Sequence, residues 1–509
     1  MTTQLERSTP TEHGVSAQGI VDFIDAVEED GVQLHSLMVV RGGDVVAEGW
    51  WAPYGRDLLH QVNSVSKTVV GTAVGLAIDE GRLALDDLVV SFFPNELPPE
   101  LGEGVQRMRV VDLLTMTTGH EEETTDRMVT DTEGNFVRGF LALPLEHEPG
   151  THFKYNSGAS YMLSAIVRAA TGETFMDYLQ PRLFKPLGIE GSTSLTCPRG
   201  IPLGFAGWSG TTEHLAKLAL LHLQGGEWRG RRILSREWVD AATSSQTRSG
   251  LDLYEVQRDP QRFAYYPRER ENNEYAQGYG YHIWRGRHGS YRASGAFGQF
   301  AVVLPELDAV VVTTANEPDT HRVMDKVWKH ILPAFDRGDA SADADATLAA
   351  RLASLELPRP ASHVRPEAMA GTALRFTMEP NFFGVTDAEF LFSEKTCTLR
   401  LVHGAGAVEL VAGTGGWHDG VLAMPAPLSS NFLSWAPGMR AEPYAAACHW
   451  QDEHSLVLLV NYTDSPLTDT ITCEFTEDGV RVSFLTSVTG IFPASERRPP
   501  LQGRAAIRS

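Results

Sequence analysis

The 509-residue sequence is poor in cysteine and has no evident export signal. Its four cysteines are scattered over positions 197, 397, 448 and 473, and none forms a Cys-x-x-Cys pair. In a chain of this length, such spacing is typical of free thiols in a reducing compartment rather than of a disulfide framework. The first fourteen residues also lack the basic and then apolar plan of a secretion signal. We therefore expect a cytoplasmic protein.

Long apolar runs and basic clusters are missing as well. The longest mostly apolar run, Val69 to Ile78, is too short to cross a bilayer and contains two glycines. The 43 Lys and Arg residues are outnumbered by 65 Asp and Glu residues, which gives a formal net charge of −22. A chain this acidic repels phosphate backbones and anionic lipids unless it carries a local basic patch, and the sequence has none. We expect neither a nucleic-acid partner nor a membrane partner.

Several motifs of familiar enzymes are absent too. The sequence has no Gly-x-Ser-x-Gly, which removes the main support for an α/β-hydrolase, and no P-loop or Gly-x-Gly-x-x-Gly for a nucleotide cofactor. His147 and His152 imitate a zinc motif, but they are not four residues apart, and Pro149-Gly150 between them prevents an aligning helix. The acidic run His120 to Glu123 is typical of a solvated loop. We predict no metal and no cofactor.

The order of predicted elements indicates two domains. In residues 1–340 a helix and a hairpin precede a largely helical middle, and strand signals return between Tyr279 and Thr314. This order predicts an α+β domain whose antiparallel sheet is built from both ends of the segment and flanked by the helical region. Residues 341–365, rich in Ala, Asp and Pro, are expected to form a linker that is helical in part. Residues 366–509 alternate short apolar runs with Gly, Asp and Asn, which predicts an all-β barrel or sandwich.

The segment Gln61 to Gly71 carries the most chemistry. Ser64 and Lys67 are three residues apart at the start of a predicted helix, so both side chains lie on one face. The first turn favours negative charge developing on Ser64, while apolar neighbours disfavour the ammonium form of Lys67. Lys67 is then able to accept the Ser64 proton. Ser66 is a rival nucleophile, but it points away from this face. A Ser-x-x-Lys alone is weak support, since it arises about once by chance in a chain this long.

Three further segments each have an ordinary structural explanation when taken singly. Tyr155-Asn156-Ser157 precedes a predicted helix and is typical of a core aromatic followed by a cap. Leu113 to Gly119 resembles a helix end with a glycine cap. Arg292 to Gln299 ends one strand and turns into the next, where a hairpin needs glycine for backbone approach.

In this order and at these separations, the segments resemble the serine β-lactamase and penicillin-binding-protein superfamily. They are most similar to its class C-like branch of esterases, DD-peptidases and 6-aminohexanoate-dimer hydrolases, and the resemblance runs from about residue 37 to about residue 329. It implies that Ser64 is acylated and that Lys67 and Tyr155 share the general-base work. It also implies an oxyanion hole formed by the backbone N–H groups of Ser64 and Ala296, beside an open strand edge that pairs with the acyl group.

The resemblance further implies substrate-binding roles for Ser157, Ser294 and Gly295, and here the sequence departs from the family pattern. The second motif is often Tyr-x-Asn, but Ser157 replaces the amide by a shorter hydroxyl. The third motif is usually Lys-Thr-Gly or His-x-Gly, but Ala293-Ser294-Gly295 offers no cation to hold a carboxylate. We therefore expect a small-molecule ester or amide with a neutral acyl group rather than efficient penicillin hydrolysis. No glutamate is assigned to deacylation, so water activation is left to Tyr155 and Lys67.

Alternatives remain open within and outside this class. A D-amino-acid amidase or peptidase, or an acyltransferase, would use the same acyl-enzyme, and an acidic residue facing a substrate amine would favour the peptidase. A catalytically silent binding or scaffold protein is the alternative from a different class. The carboxy-terminal domain resembles the lipocalin-like barrels appended to some cytosolic D-aminopeptidases, and it is expected to serve stability or assembly of a homo-oligomer. A ligand-binding barrel, or a wall that restricts the active-site cleft, is the alternative for this domain. Specificity is expected to reside in the loops Glu121 to Pro144 and Arg248 to Tyr275.

Overall fold

The computed structural model describes residues 4–247, 269–336, 341–363, 370–404, 406–424, 440–491, 496 and 498–505. These residues form two compact units, Met1–Trp50 with Arg56–Leu355 and Trp51–Gly55 with Glu356–Ser509. Most of the second loop expected to carry specificity, residues 248–268, lies outside the described residues.

The helices of the first unit are, in chain order, α1 (Ala17–Glu29), α2 (Val65–Asp79), α3 (Val110–Leu114), α4 (Thr125–Met128), α5 (Phe136–Leu141), α6 (Ser157–Thr171), α7 (Phe175–Leu179), α8 (Lys185–Leu187), α9 (Thr212–Leu223), α10 (Arg236–Thr243), α11 (Thr320–Lys326), α12 (Leu332–Ala334) and α13 (Ala342–Leu352). A π-helical turn, Val327–Ile331, joins α11 to α12. Within the described ranges, every helix is too short or too polar to cross a bilayer.

The strands of the first unit are β1 (Leu34–Arg41), β2 (Asp44–Trp50), β3 (His60–Gln61), β4 (Thr193–Ser194), β5 (Trp208–Gly210), β6 (Glu227–Trp228), β7 (Arg231–Arg232), β8 (Trp284–Arg285), β9 (Tyr291–Gly295), β10 (Gln299–Leu304) and β11 (Ala309–Ala315). Six of them form the main sheet in the order β2-β1-β11-β10-β9-β8, with every pair antiparallel. The pairing of β1 with β11, for example Met38 opposite Val312, joins the two ends of the segment as predicted.

The centre of this sheet is covered on both faces. Every residue of β10 and β11 is buried, which explains why these strands are nearly continuous apolar runs rather than alternating ones. Helix α9 packs against β1, β10 and β11, and α2 packs against β9. The predicted α+β class, an antiparallel sheet flanked by a helical region, is confirmed.

Helix α2 is the central helix of this arrangement. All of its residues from Val65 to Ala77 are buried, which accounts for a sequence that is apolar all round instead of amphipathic. A Cβ atom at Gly75 would lie 2.4 Å from the Trp238 ring, so glycine permits the close approach there. Helix α6 packs beside α2. The two helices therefore form a rigid support for the side chains at their N-termini.

The segment expected to be a linker divides between the units. Its helix α13 belongs to the first unit, where the Ser341 side chain caps it by accepting from the Ala344 N–H. The helix packs against α1, and Arg351 forms ion pairs with Asp25 and Glu28. From Glu356 onward the chain belongs to the second unit.

The second unit contains the strands β12 (Ala373–Met378), β13 (Val385–Phe392), β14 (Thr396–His403), β15 (Gly406–Gly413), β16 (His418–Met424), β17 (Arg440–Trp450), β18 (Ser455–Tyr462), β19 (Thr468–Phe475), β20 (Gly479–Thr486) and β21 (Leu501–Ala505). Neighbouring strands pair in the order β15-β14-β13-β12-β21-β20-β19-β18-β17-β16. The parallel pairing of Gly413 with Ala447 links β15 to β17 and closes a nine-strand ring, outside which β16 pairs with β17. The all-β prediction is confirmed in its barrel form. All four cysteines of the chain are buried and free.

Candidate active site

Ser64 lies at the junction between β3 and α2, as the N-cap of the helix. The preceding residue, Asn63, has a left-handed backbone with φ of 49°, and its side-chain amide donates to the Ala296 carbonyl at 3.0 Å. The N–H of Lys67 already donates to the Ser64 carbonyl at 3.0 Å, so the first helical turn is tight. This sharp turn ties the Ser64 backbone to the end of β9. Ser64 is partly exposed, whereas its neighbours on either side are buried.

Lys67 is the buried cation of the site, with only 2% of its surface exposed. Its Nζ lies 3.1 Å from Ser64 Oγ, 3.3 Å from Ser157 Oγ and 3.0 Å from the Phe205 carbonyl. Burial lowers the pKa of Lys67 to about 7, and the charge of Glu123 opposes this shift. A neutral amine is therefore available near neutral pH within hydrogen-bond reach of the Ser64 hydroxyl.

Tyr155 reaches the same hydroxyl from the loop before α6. The Ser64 side chain acts on its phenol and opposes the larger effect of burial on its pKa, and Lys67 Nζ lies 4.8 Å from the centre of the ring. Burial raises the pKa of Tyr155 well above its usual value, so the phenol keeps its proton at neutral pH. The ring is stacked on Trp284, with the two centroids 5.4 Å apart. The structure thus brings Ser64, Lys67 and Tyr155 together.

Ser157 is the first residue of α6 and lies in contact with Lys67. Asn156 caps the helix by accepting from the Gly158 N–H at 3.0 Å, and it also accepts from the Thr124 hydroxyl at 2.6 Å. Its amide therefore faces away from Lys67, and Ser157 is the hydroxyl that reaches the amine. The shorter side chain at the second motif still provides a contact for the lysine.

Gly295 and Ala296 lie against the Ser64 backbone at the end of β9. A Cβ atom at Gly295 would lie 2.3 Å from the Val62 carbonyl oxygen and 3.2 Å from the Ser64 nitrogen, so only glycine fits there. Among the described residues, neither the Ser64 N–H nor the Ala296 N–H donates to a protein acceptor. Two adjacent N–H groups without a protein acceptor are what an oxyanion hole requires.

Ser294, whose substrate-binding role stays a prediction, lies beside Tyr275. Its hydroxyl lies 3.4 Å from the Tyr275 hydroxyl, which is also 3.0 Å from Thr320 Oγ1. The Ser294 side chain therefore contacts Tyr275, and no hydrogen bond joins it to the catalytic candidates among the described residues. Strand β9 is also not the edge strand that we expected, because β8 pairs with Tyr291 and Arg292. Within the described part of the chain, the open edge is confined to the last residues of β9.

Ser66 is ruled out as the nucleophile by its surroundings. It is fully buried, its hydroxyl donates to the Asn63 carbonyl at 2.6 Å, and it accepts from the Trp208 N–H at 3.0 Å. Both groups lie away from Lys67. The expectation that Ser66 points off the Ser64–Lys67 face agrees with this geometry.

Glu123 is a site residue that the sequence analysis missed. Its Oε1 accepts from the Ser157 N–H at 2.7 Å, so the carboxylate sits at the N-terminus of α6 and acts on Lys67. The same carboxylate accepts from the Thr125 N–H at 2.8 Å and from the Thr125 hydroxyl at 2.7 Å. In the sequence Glu123 belongs to an acidic run that is typical of a solvent-exposed loop, and no local pattern distinguishes it from Glu122.

Comparisons with known proteins agree with this geometry. A family model described as Beta-lactamase matches residues 23–335. This is more than half of the chain, so the chain belongs to the Beta-lactamase family. Apart from Trp51–Gly55, the match lies within the first unit, which therefore carries the Beta-lactamase domain. The resemblance stated from the sequence motifs is confirmed.

Two curated relatives and one solved structure define the similarity further. The 6-aminohexanoate-dimer hydrolase of Paenarthrobacter ureafaciens is 27% identical over 260 residues, which cover 48% of this chain and 66% of that protein. Penicillin-binding protein 4 of Amycolatopsis lactamdurans is 28% identical over 187 residues, which cover 36% of this chain and 46% of that protein. The chain thus spans less than two thirds of the length of either relative. A solved β-lactamase-like protein from Bacteroides dorei shares the fold, with a TM-score of 0.50, 19% identity, and coverage of 62% of this chain and 99% of that one.

The pKa of Lys67 generates a prediction for the pH profile. If neutral Lys67 is the base, kcat/KM rises with pH through a midpoint near 7, the value to which burial lowers the pKa of Lys67. Because the Glu123 charge raises this pKa, Glu123→Gln should move the midpoint to lower pH. The measurement is kcat/KM against pH for both proteins.

The matched control for this experiment is Glu122→Gln, which removes an equal charge from an exposed neighbour. Its midpoint should stay close to that of the unmodified protein. A Glu123→Gln midpoint that is unchanged, or higher, would contradict the coupling between the carboxylate and Lys67.

Proposed function

We propose that this protein hydrolyses a small-molecule ester or amide through an acyl-enzyme on Ser64. One observation carries the proposal: the buried Lys67 amine, with a pKa lowered to about 7, lies 3.1 Å from Ser64 Oγ. A serine hydroxyl is a weak nucleophile by itself, and an adjacent base that is unprotonated at working pH is the feature that activates it.

In the acylation step, Ser64 Oγ attacks the substrate carbonyl carbon while its proton passes to neutral Lys67. The carbonyl oxygen gains negative charge and is stabilised by the N–H groups of Ser64 and Ala296. The bond to the leaving alcohol or amine then breaks, and that group takes up a proton as it departs. Lys67 is the initial proton acceptor because its pKa is lowered toward neutrality, whereas that of Tyr155 is raised.

Tyr155 is assigned to proton delivery rather than to independent base catalysis. Its phenol keeps its proton at neutral pH and interacts with the Ser64 side chain. It is therefore suited to donate to the departing atom, and the proton that Lys67 has taken from Ser64 restores the phenol afterwards. In deacylation water attacks the acyl carbon while neutral Lys67 accepts its proton. Tyr155 then donates a proton to Ser64 Oγ as the acid is released, and Lys67 returns its proton to Tyr155.

The chemistry of the site favours neutral acyl groups. The third motif carries Ala293 where the family has a cation, and the hydroxyl of the next residue, Ser294, is engaged by Tyr275. Tyr155, Trp284 and Tyr275 form an aromatic cluster, with the ring centroids of Tyr275 and Trp284 5.0 Å apart. Aromatic faces attract apolar groups and offer no counter-charge to a carboxylate. We propose esters and amides of uncharged acids as substrates.

A D-amino-acid amidase or peptidase is the second candidate, and Glu123 is the observation that bears on it. A carboxylate beside Lys67 is placed to attract a substrate amine. However, three hydrogen bonds from Ser157 and Thr125 already engage its oxygens. These hydrogen bonds favour a role for Glu123 in positioning Ser157 over a role in binding a substrate amine. Hydrolysis of D-amino-acid amides in preference to simple esters would instead favour the amidase or peptidase. An acyltransferase would be recognised by transfer of the acyl group to an added alcohol or amine.

Self-association through the barrel unit and a cytoplasmic location also stay predictions. Sedimentation of the full chain beside a chain lacking residues 356–509 addresses the first. If the barrel mediates self-association, the full chain should sediment as an oligomer and the shortened chain as a monomer.

The first prediction here separates an enzyme from a silent protein on the same fold. A fluorophosphonate should label the protein covalently at Ser64, and the label should disappear in Ser64→Ala. It should persist in Ser66→Ala, because Ser66 has no base within reach. Intact-mass spectrometry measures the adduct. An unlabelled wild-type protein would support the scaffold alternative.

A second prediction concerns the base and the proton donor. Lys67→Ala and Tyr155→Phe should each lower kcat by about a hundredfold or more, because general acid–base groups contribute rate factors of this size. Circular dichroism and thermal unfolding check that both variants remain folded. Rates close to wild type in both variants would refute the assigned roles.

A third prediction concerns substrate class. A short-chain aryl ester should be hydrolysed far faster than a chromogenic cephalosporin, because no cation at Ala293-Ser294-Gly295 meets the carboxylate of the β-lactam. Steady-state kcat/KM values for the two substrates give the ratio. The opposite ranking would show that the missing cation does not govern selection.

A further inference from the structure

Two loops that lead into the active site bring together a glutamate and two histidines. One loop, Gly119 to Glu123, ends at the carboxylate that acts on Lys67. The other, His147 to His152, ends three residues before Tyr155. The N–H groups of Glu146 and His147 both donate to the Gly119 carbonyl, at 3.0 and 2.9 Å. Backbone hydrogen bonds thus hold the loops side by side.

The side chains on these loops converge on one carboxylate oxygen. His147 Nε2 lies 2.6 Å from Glu121 Oε2, and His152 Nε2 lies 3.9 Å from the same atom. The two imidazole rings are stacked, with centroids 4.1 Å apart and planes inclined by 22°. One ligand atom from each of the three residues lies within 4.8 Å of the others. The spacing of the histidines in sequence excluded a helical zinc motif, but it did not exclude a site completed by a distant loop.

We propose that Glu121, His147 and His152 form a binding site for Zn²⁺. Two imidazoles and one carboxylate are a ligand set that zinc uses when it keeps a fourth position for water. Each of the three side chains is about one-third exposed, between 32% and 36%, so the fourth position can face solvent. Imidazole ligands favour zinc over magnesium or calcium, which prefer oxygen ligands alone.

The separations of the donor atoms are comparable to those in a bound state. Zinc–ligand bonds of about 2.0–2.1 Å place tetrahedral donors roughly 3.3 Å apart. An imidazole binds a metal in the plane of its ring, so binding requires the two stacked rings to turn until both Nε2 atoms point at one ion. A hydrogen bond between His147 and Glu121 explains the shortest contact by itself, but it leaves unexplained why His152 is stacked beside it with its Nε2 toward the same oxygen.

The charge around the site also suits a cation. Glu146 supports Glu121 by accepting from its backbone N–H at 3.0 Å, and it adds a second carboxylate to the same loops. Lys154 is the opposing cation that acts on Glu121. A zinc ion bound to Glu121 on one loop and to His147 and His152 on the other would limit how far the two loops can separate. It would therefore stabilise the segments that carry Glu123 and Tyr155.

The experiment uses the full chain, freed of any histidine tag and treated with chelator. Isothermal titration with Zn²⁺ should show one bound ion per chain, and Zn²⁺ should raise the thermal unfolding midpoint, whereas Mg²⁺ should not. Co²⁺ in place of Zn²⁺ should give visible absorption bands of a tetrahedral site. None of these readouts depends on catalytic activity, so the result is independent of the proposed hydrolase function.

Three variants test the ligands, and one matched variant serves as the control. His147→Gln, His152→Gln and Glu121→Gln should each weaken Zn²⁺ binding at least about tenfold, since even outer-shell changes cost this much. All three residues are partly exposed, so the folded state should be retained. His454→Gln removes an exposed histidine from the second unit and should leave binding unchanged. Absence of a bound ion, or binding that is unaffected by the histidine variants, would overturn the proposal.

Discussion

The site depends on the burial of a single amine, that of Lys67, beside the hydroxyl of Ser64. Removing an ammonium group from water is costly, and the protein offsets the cost by letting the group lose its proton at neutral pH. The same desolvation keeps the nearby phenol of Tyr155 protonated. One environment thus lowers the pKa of Lys67 and raises that of Tyr155, two groups that both interact with the Ser64 side chain. A base and an acid are obtained without a metal ion taking part in the proton transfer that we propose.

The rest of the first unit maintains this burial. Helix α2 is enclosed between the sheet and α6, so Lys67 cannot swing out to solvent without disrupting packed helices. The N-terminus of α6 supplies Ser157, and the end of β9 supplies Gly295 against the Ser64 backbone. Glu123 limits the drop in the pKa of Lys67 and holds the Ser157 N–H. The site is therefore assembled from two helix ends, one strand end and one loop, each fixed by hydrogen bonds of its own.

The departures from the family motifs have a common physical consequence. Ser157 in place of an amide still contacts the lysine, so the base is retained. Ala293 stands in place of the cation, and the neighbouring Ser294 hydroxyl faces Tyr275, so electrostatic recognition of a carboxylate is not retained. Activation of the nucleophile and selection of the substrate are thus separable here. The aromatic cluster around Tyr155 takes over the wall of the site, which suits uncharged groups.

The sequence by itself was enough to predict those features that depend on helical spacing and on the pattern of apolar residues. Helical spacing placed Ser64 and Lys67 on one face, alternation of apolar residues indicated the second all-β domain, and the ordered motifs identified the family. Tertiary structure decided the remainder. Residues such as Glu123, Tyr275 and the Glu121–His147–His152 cluster lie in loops, where no periodicity constrains side-chain direction and the partners are distant along the chain. Likewise, β8 pairs with the start of β9, and a strand of only two residues is too short for its pairing to be predicted from sequence. Proton affinity depends on how much water the folded chain excludes, and only the packed structure sets that quantity.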